Sequence, residues 1–148
     1  MYLKIFAERL SELIFDNNQN AREISNKIGI GKSNLYEYLS AQKAPSLKNL
    51  VKIANYFCCS TDFLVGLENE IYPTTYATNQ LPFSQTFNLV LKQYNLTRYK
   101  LHKITNIAES ALYYYAKGTR QPNLENLIII CKAIGCTLDT LLGRTNLK

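Results

Sequence analysis

The sequence predicts an all-α protein, because helical spacing of apolar residues recurs along the chain and no period-2 strand pattern occurs. Two stretches show the i, i+4, i+7, i+8 spacing of one helix face: Phe6, Leu10, Leu13 and Ile14, and then Phe83, Phe87, Val90 and Leu91. The composition is that of a folded globular chain, since 47% of the residues are hydrophobic and 19% are charged.

The chain contains an internal repeat. A shift of 77 positions aligns residues 6–71 with 83–148 without a gap and gives 17 identities in 66 positions. Most identical positions hold apolar or turn residues, as in Pro45-x-Leu47-x-Asn49-Leu50 and Pro122-x-Leu124-x-Asn126-Leu127. We therefore predict two modules, over residues 1–67 and 82–148, joined by a linker at 68–81.

Each module is expected to form five short helices. The third helix is expected over about 32–40 and about 109–117. Gly29 and Asn106 tolerate the left-handed conformation that ends the second helix. N-cap residues are predicted for the second, fourth and fifth helices: Asn20, Ser46 and Ser60 in the first module, and Thr97, Asn123 and Thr137 in the second.

The turn between the second and third helices carries a motif. Residues 24–35 read Ile-Ser-Asn-Lys-Ile-Gly-Ile-Gly-Lys-Ser-Asn-Leu, and they are followed by Pro-Ser-Leu-Lys-Asn-Leu at 45–50 and Ser-Thr-Asp-Phe-Leu-Val-Gly at 60–66. The second copy consists of residues 101–112, Gly118, 122–127 and 138–144. Two short helices joined by a tight Gly- or Asn-containing turn form a helix-turn-helix. The pattern resembles the phage-repressor, or Cro/C1 (xenobiotic response element), family. This resemblance implies two five-helix, lambda-repressor-like domains in tandem.

Three features depart from the family pattern. The family usually carries Glu near the end of the third helix, where this chain has Leu39 and Ala116. A Gly usually follows, which is Ala41 in the first copy and Gly118 in the second. Thr105 occupies a position that is usually apolar.

The resemblance implies that the third helix of each module enters the major groove of DNA. The candidate contact residues are Arg22, Lys32, Ser33, Asn34, Tyr36, Glu37 and Lys43 in the first module, and Arg98, Lys100, Glu109, Ser110, Ala111, Tyr113, Tyr114, Lys117 and Arg120 in the second. Lys32 suits guanine, and Glu37 and Glu109 suit the cytosine amino group. The tyrosines could contact phosphate or a thymine methyl, or they could be ordinary solvated helix surface.

The net charge of +6 is unevenly distributed. Residues 1–81 hold 8 Lys and Arg and 8 Asp and Glu, whereas residues 82–148 hold 9 and 3. A basic half favours a nucleic-acid partner, although a basic surface also aids solubility. The second module is therefore expected to be better equipped for phosphate contacts.

Several function classes lack their usual residues. The four cysteines (Cys58, Cys59, Cys131 and Cys136) form no C-x-x-C pair and there is one histidine, so we expect no metal site and no cofactor. The cysteines are expected to be core residues. No catalytic constellation is recognisable, so no enzyme is expected. A cytoplasmic protein is expected, because no apolar run reaches the about 18 residues of a membrane span and no signal peptide is recognisable.

We expect a sequence-specific, double-stranded DNA-binding transcriptional regulator without a small-molecule effector. Repression by operator occlusion is expected, because no activation or effector segment is visible. The alternative is that the neutral first module binds a protein partner, or a second copy in a homodimer, and only the second module binds DNA.

The segment between the modules is long enough to let one chain reach two half-sites. Sixteen extended residues, 67–82, span about 50 Å, and half-sites one helical turn apart are separated by about 34 Å. The alternative is that Ile71, Tyr72 and Tyr76 dock onto a module or form a dimer contact.

Overall fold

Ten helices occur in the part of the chain that the computed structural model describes, residues 1–71, 75–78 and 81–147. The first five are α1 (Tyr2–Asp16), α2 (Ala21–Ile28), α3 (Lys32–Leu39), α4 (Leu47–Tyr56) and α5 (Thr61–Val65). The second five are α6 (Phe83–Gln93), α7 (Arg98–Thr105), α8 (Glu109–Lys117), α9 (Leu124–Ile134) and α10 (Leu138–Leu141). They belong to two units, Met1–Thr75 and Tyr76–Lys148. The prediction of a helical fold with two five-helix units in tandem is confirmed.

The helix ends confirm the predicted capping chemistry. Asn20 Oδ1 accepts a hydrogen bond from the Glu23 amide at 2.9 Å, and Thr97 Oγ1 accepts one from the Lys100 amide at 3.1 Å. The same bond from the residue three positions on occurs at every other predicted cap: Ser46, Ser60, Asn123 and Thr137. The predicted left-handed ends of α2 and α7 are also present, with φ of 80° at Gly29 and 62° at Asn106.

In the first unit, α1 packs on α3 and α5, and α2 packs on α3 and α4. Phe6, Leu35 and Leu50 are fully buried at the centre of this packing. Gly66 ends α5 with φ of 90°, and a Cβ there would lie 2.9 Å from Ile5 Cγ2. The close approach of α5 to α1 therefore depends on glycine. Arg9 links α1 to α5 and to the segment that follows it, because its guanidinium donates to the carbonyls of Phe63 and Glu68.

The second unit repeats this packing, with α6 on α8 and α7 on α8 and α9. Tyr115 is buried and its hydroxyl accepts from Asn126 Nδ2 at 3.2 Å, just as Tyr38 accepts from Asn49 Nδ2 at 2.9 Å in the first unit. The C-terminal closure differs. Arg144 donates to Asp139 Oδ1 at 2.6 Å in a buried ion pair, and Leu67 occupies the aligned position of the first unit.

A two-stranded sheet was not predicted from the sequence. Strand β1 (Thr75–Thr78) pairs with strand β2 (Arg144–Leu147), and β2 packs on α10. Four-residue strands are too short to show a clear period-2 pattern, and the helices supply the core. Residues 76–78 of the predicted linker belong to the second unit.

Two other predictions concern the burial of the cysteines and the docking of residues from the predicted linker. Cys59 and Cys131 are buried as expected, but Cys58 is exposed. Ile71, which was considered for docking onto a module, keeps 45% of its surface exposed. The docking contact considered for Tyr72 lies outside the described residues, as does the side chain of Tyr76.

Candidate nucleic-acid interface

The exposed face of α3 in the first unit carries polar and aromatic side chains. Lys32, Ser33 and Tyr36 are exposed, and Tyr36 retains 49% of its accessible surface. Leu35 and Tyr38 point into the core, with 0% and 2% of their surfaces exposed. Lys32, Ser33 and Tyr36 therefore lie on the solvent-facing side of α3.

Two contacts order the first unit's side chains along this face. Lys43, in the segment after α3, donates from Nζ to Asn34 Oδ1 at 3.0 Å. Lys32 places its ammonium 5.9 Å from the centre of the Tyr36 ring. A lysine in the first turn of a helix is opposed by the helix dipole, so an anionic partner at this end would relieve that cost. Glu37 and Asn34 are half-buried at the edge of the face.

The equivalent face of α8 carries Glu109, Ser110, Tyr113 and Tyr114, all exposed. Tyr113 and Tyr114 each keep 44% of their surface accessible. Ala111 does not belong to this face, because it is 7% exposed and lies against the core. Its prediction as a contact residue is therefore not supported, whereas the aligned Asn34 is half-buried at the surface of the first unit.

Tyr113 forms the centre of a cationic and aromatic cluster. The Arg98 guanidinium, at the start of α7, lies 5.2 Å from the Tyr113 ring centre. The Lys117 ammonium, at the end of α8, lies 5.7 Å from the same ring. Tyr114 packs edge-on against it at 5.4 Å. The ring therefore brings together cations from two helices, and cation–π contacts of this kind hold the cations in place.

Within each helix-turn-helix segment, the third helix (α3 or α8) begins without a side-chain cap, unlike the helices before and after it. The helices α2, α4 and α5, with their counterparts α7, α9 and α10, begin at a Ser, Thr or Asn that accepts a first-turn amide. The N-caps of α3 and α8 are Gly31 and Ala108, whose side chains carry no acceptor. First-turn N–H groups of a helix attract phosphate and other anions.

The two units present the same charge on their helix-turn-helix segments. Residues 21–56, which contain α2 to α4, hold six Lys and Arg and two Asp and Glu, a net charge of +4. The aligned residues 98–133 also hold six and two. The first unit is neutral because residues 1–20 and 57–71 together carry two basic and six acidic side chains. The zero net charge of the first unit therefore does not reveal the basic charge of its α2–α4 segment.

Several cations of these segments were missed by the sequence reasoning. Lys27 and Lys48 are exposed in the first unit, and Lys103 is exposed on α7, 5.3 Å from the Tyr99 ring. A charge count restricted to residues 21–56 and 98–133 would have included these lysines. The other predicted phosphate contacts, Arg22, Lys100 and Arg120, are exposed as well.

Comparison with known proteins agrees with this geometry. Residues 87–146 match the Cro/C1-type HTH DNA-binding domain, and residues 18–64 match a helix-turn-helix family. The chain is 28% identical over 103 residues to the uncharacterized HTH-type transcriptional regulator YobD of Bacillus subtilis (strain 168), covering 70% of this chain and 92% of that protein. No solved structure matches the chain. Within the described residues, no helix is long and apolar enough to cross a membrane.

Proposed function

We infer that this chain, which carries two Cro/C1-type helix-turn-helix domains in tandem, is a transcriptional regulator that binds double-stranded DNA sequence-specifically through both units. One observation carries the inference. The segments α2–α4 and α7–α9 have the same net charge of +4 and both expose the outer face of their third helix. Two basic surfaces of equal charge favour two phosphate-binding units over one.

The roles of the side chains follow from their place on each helix. Ser33 and Lys32 at the start of α3, and Glu109 and Ser110 at the start of α8, are proposed to read base edges. Lys32 would donate to guanine and Glu109 would accept from the cytosine amino group. The two units therefore present different chemistry, and the preferred site would join two unlike half-sites.

A second group of side chains is proposed to hold the phosphate backbone. It consists of Arg22, Asn34, Tyr36 and Lys43 around α3, and of Arg98, Lys100, Tyr113, Tyr114, Lys117 and Arg120 around α8. Glu37 is not in this group, because its carboxylate would be repelled by phosphate; it is proposed to accept from a cytosine amino group. Phosphate contacts fix the register of the protein and carry little sequence information. The cations on the Tyr113 ring suit this role because the ring restricts their movement.

We propose that the chain represses transcription by occlusion. Two units bound one helical turn apart would cover on the order of 20 base pairs. A polymerase or activator that needs the same groove faces would be excluded. Homodimer formation and a cytoplasmic location stay predictions.

The alternative is that the first unit binds protein instead of DNA. Glu8 and Glu12 line a cleft beside α1 together with Phe63 and Ile71, so this region combines acidic and apolar surface. The cleft and the basic α2–α4 segment involve different helices, so a protein contact at α1 would leave α3 able to bind DNA.

Selection of the intact chain on a random duplex library at near-physiological salt tests the proposal. Enrichment of two unlike elements at a fixed spacing would support reading by both units. Enrichment of one short element would support the alternative. A folded chain that enriches nothing and binds all duplexes equally would overturn the proposal of sequence-specific binding.

A further inference from the structure

The turn that leads into α8 is held by side chains of α7. Imidazole Nδ1 of His102 lies 2.6 Å from the carbonyl oxygen of Ile107. The Ile107 amide donates to Thr105 Oγ1 at 3.2 Å, and that hydroxyl donates to the Leu101 carbonyl at 2.7 Å. Both polar backbone atoms of Ile107 are therefore bonded to side chains of the preceding helix.

The first unit fixes the same turn with different groups. Ser25, aligned with His102, donates from Oγ to the Ile30 carbonyl at 2.6 Å. The Ile30 amide bonds to the backbone carbonyl of Ser25 at 3.2 Å. Lys52 of α4 donates to the Gly29 carbonyl at 3.2 Å. The carbonyls of the aligned residues Ile30 and Ile107 therefore each contact a side chain of the preceding helix, which is Ser25 in the first unit and His102 in the second.

The geometry specifies the protonation of the imidazole at this contact. A carbonyl oxygen can accept but cannot donate, so Nδ1 of His102 must carry the hydrogen. The ring is half-buried in the last turn of α7. The neutral and the cationic forms can both make this bond, whereas the tautomer with hydrogen on Nε2 alone cannot.

The place of Ile107 makes this turn important for α8. Its side chain is 7% exposed and anchored in the core. The next residue, Ala108, is the N-cap of α8, and Glu109 and Ser110 follow at the end of the helix where base contacts are expected. An error of about 1 Å in the placement of such groups is enough to spoil directed hydrogen bonds.

We propose that His102 and Thr105 are positioning residues for DNA recognition by the second unit. They hold Ile107 from both sides and thereby set the direction in which α8 presents Glu109 and Ser110. The inference rests on the proposed function. It deepens that function by assigning specificity to two side chains that do not touch DNA. It also explains why a hydroxyl residue, Thr105, occupies a position that is usually apolar.

The bonds themselves are tested without DNA. In a ¹H–¹⁵N spectrum of the imidazole, neutral His102 is expected to show the Nδ1–H tautomer. Thr105→Val keeps the shape of the side chain and removes the hydroxyl, so the Ile107 amide should exchange with solvent at least about fivefold faster, as for one lost hydrogen bond. A dominant Nε2–H tautomer, or unchanged exchange at Ile107, would overturn the proposed clamp.

The effect on recognition is tested with the site enriched by the native chain and an unrelated duplex. His102→Ala should lower the ratio of specific to non-specific affinity at least about fivefold, while the non-specific affinity of the folded variant changes little. His102→Asn places an amide donor near the Nδ1 position and should recover the ratio. Ile104→Ala, at an exposed residue of the same helix, is the matched surface control.

The outcomes distinguish a failure of the proposed function from a failure of the positioning role of His102. A native chain that shows no preference between the duplexes contradicts the proposed function, and the spectral and exchange data then still decide whether the clamp exists. A native chain that discriminates, together with a His102→Ala variant that discriminates equally well, contradicts the positioning role. Equal losses with His102→Ala and His102→Asn would also contradict it.

Discussion

The salt dependence of DNA binding should report the number of cations that each unit places on phosphate. Five exposed basic side chains surround the face of α8: Arg98, Lys100, Lys103, Lys117 and Arg120. Each phosphate neutralised contributes about 0.9 to the slope of log affinity against log salt, so the second unit should contribute about −4 to −5. Replacing Arg98, Lys100 and Arg120 by Gln removes three cations and should make the slope shallower by about 2.7.

Fluorescence anisotropy of an end-labelled duplex, titrated from about 50 to about 200 mM salt, measures this slope. The control variant replaces Lys4 and Lys92 by Gln, because both are exposed on helices outside the proposed interface. It should leave the slope within error of the native value. The reasoning is refuted if the triple variant keeps the native slope, or if the control becomes shallower by the same amount per charge removed.

Three predictions concern stability, each measured by urea or thermal unfolding. Arg144→Met removes the cation of the buried ion pair with Asp139 and should lower the free energy of unfolding by about 3–5 kcal/mol, whereas replacing both by Leu should recover most of the loss. A loss below about 1 kcal/mol for the single variant contradicts the buried-pair reasoning. Thr97→Ala removes the cap of α7 and should cost about 1 kcal/mol, while Thr97→Ser should retain it. Ala41 adopts φ of 59°, and the aligned Gly118 has φ of 90°. Ala41→Gly should raise the free energy of unfolding by about 0.5–1 kcal/mol, because relief of the left-handed strain exceeds the cost of a more flexible unfolded chain. A destabilised variant would show that the strain is absent.

The features that depend on local chemistry could be predicted from the sequence. Asn20 and Thr97 were expected as N-caps because a short side-chain acceptor precedes a periodic apolar stretch, and both make the bond. Gly29 and Asn106 were expected at left-handed helix ends, and both have positive φ. The repeat strengthened these predictions, since each pattern occurs twice.

The features that depend on distant residues could not be predicted in this way. Arg144 aligns with Leu67, so nothing in the repeat indicated a buried ion pair with Asp139. The sheet between β1 and β2 joins residues about 70 positions apart, which local patterns do not report. Ala111 was predicted as a contact residue but is 7% exposed, because the burial of a position beside the solvent-facing side of a helix depends on the neighbouring helices.

The candidate interface was predicted in its location more than in its electrostatics. Counting charge over residues 1–81 suggested a neutral first module, because acidic residues of α1 and of the segment 57–71 offset the cations of α2–α4. Folding separates these groups onto different helices. Charge is therefore informative when it is counted over the elements that would face DNA.

Footprinting of the selected duplex tests most directly whether both units read DNA. The native chain is compared with two variants, Lys32→Ala/Ser33→Ala on α3 and Ser110→Ala/Tyr114→Ala on α8. The account predicts two protected groove segments for the native chain, and each variant should lose one segment and keep the other. A footprint that is confined to one segment and unchanged by the α3 substitutions would contradict it.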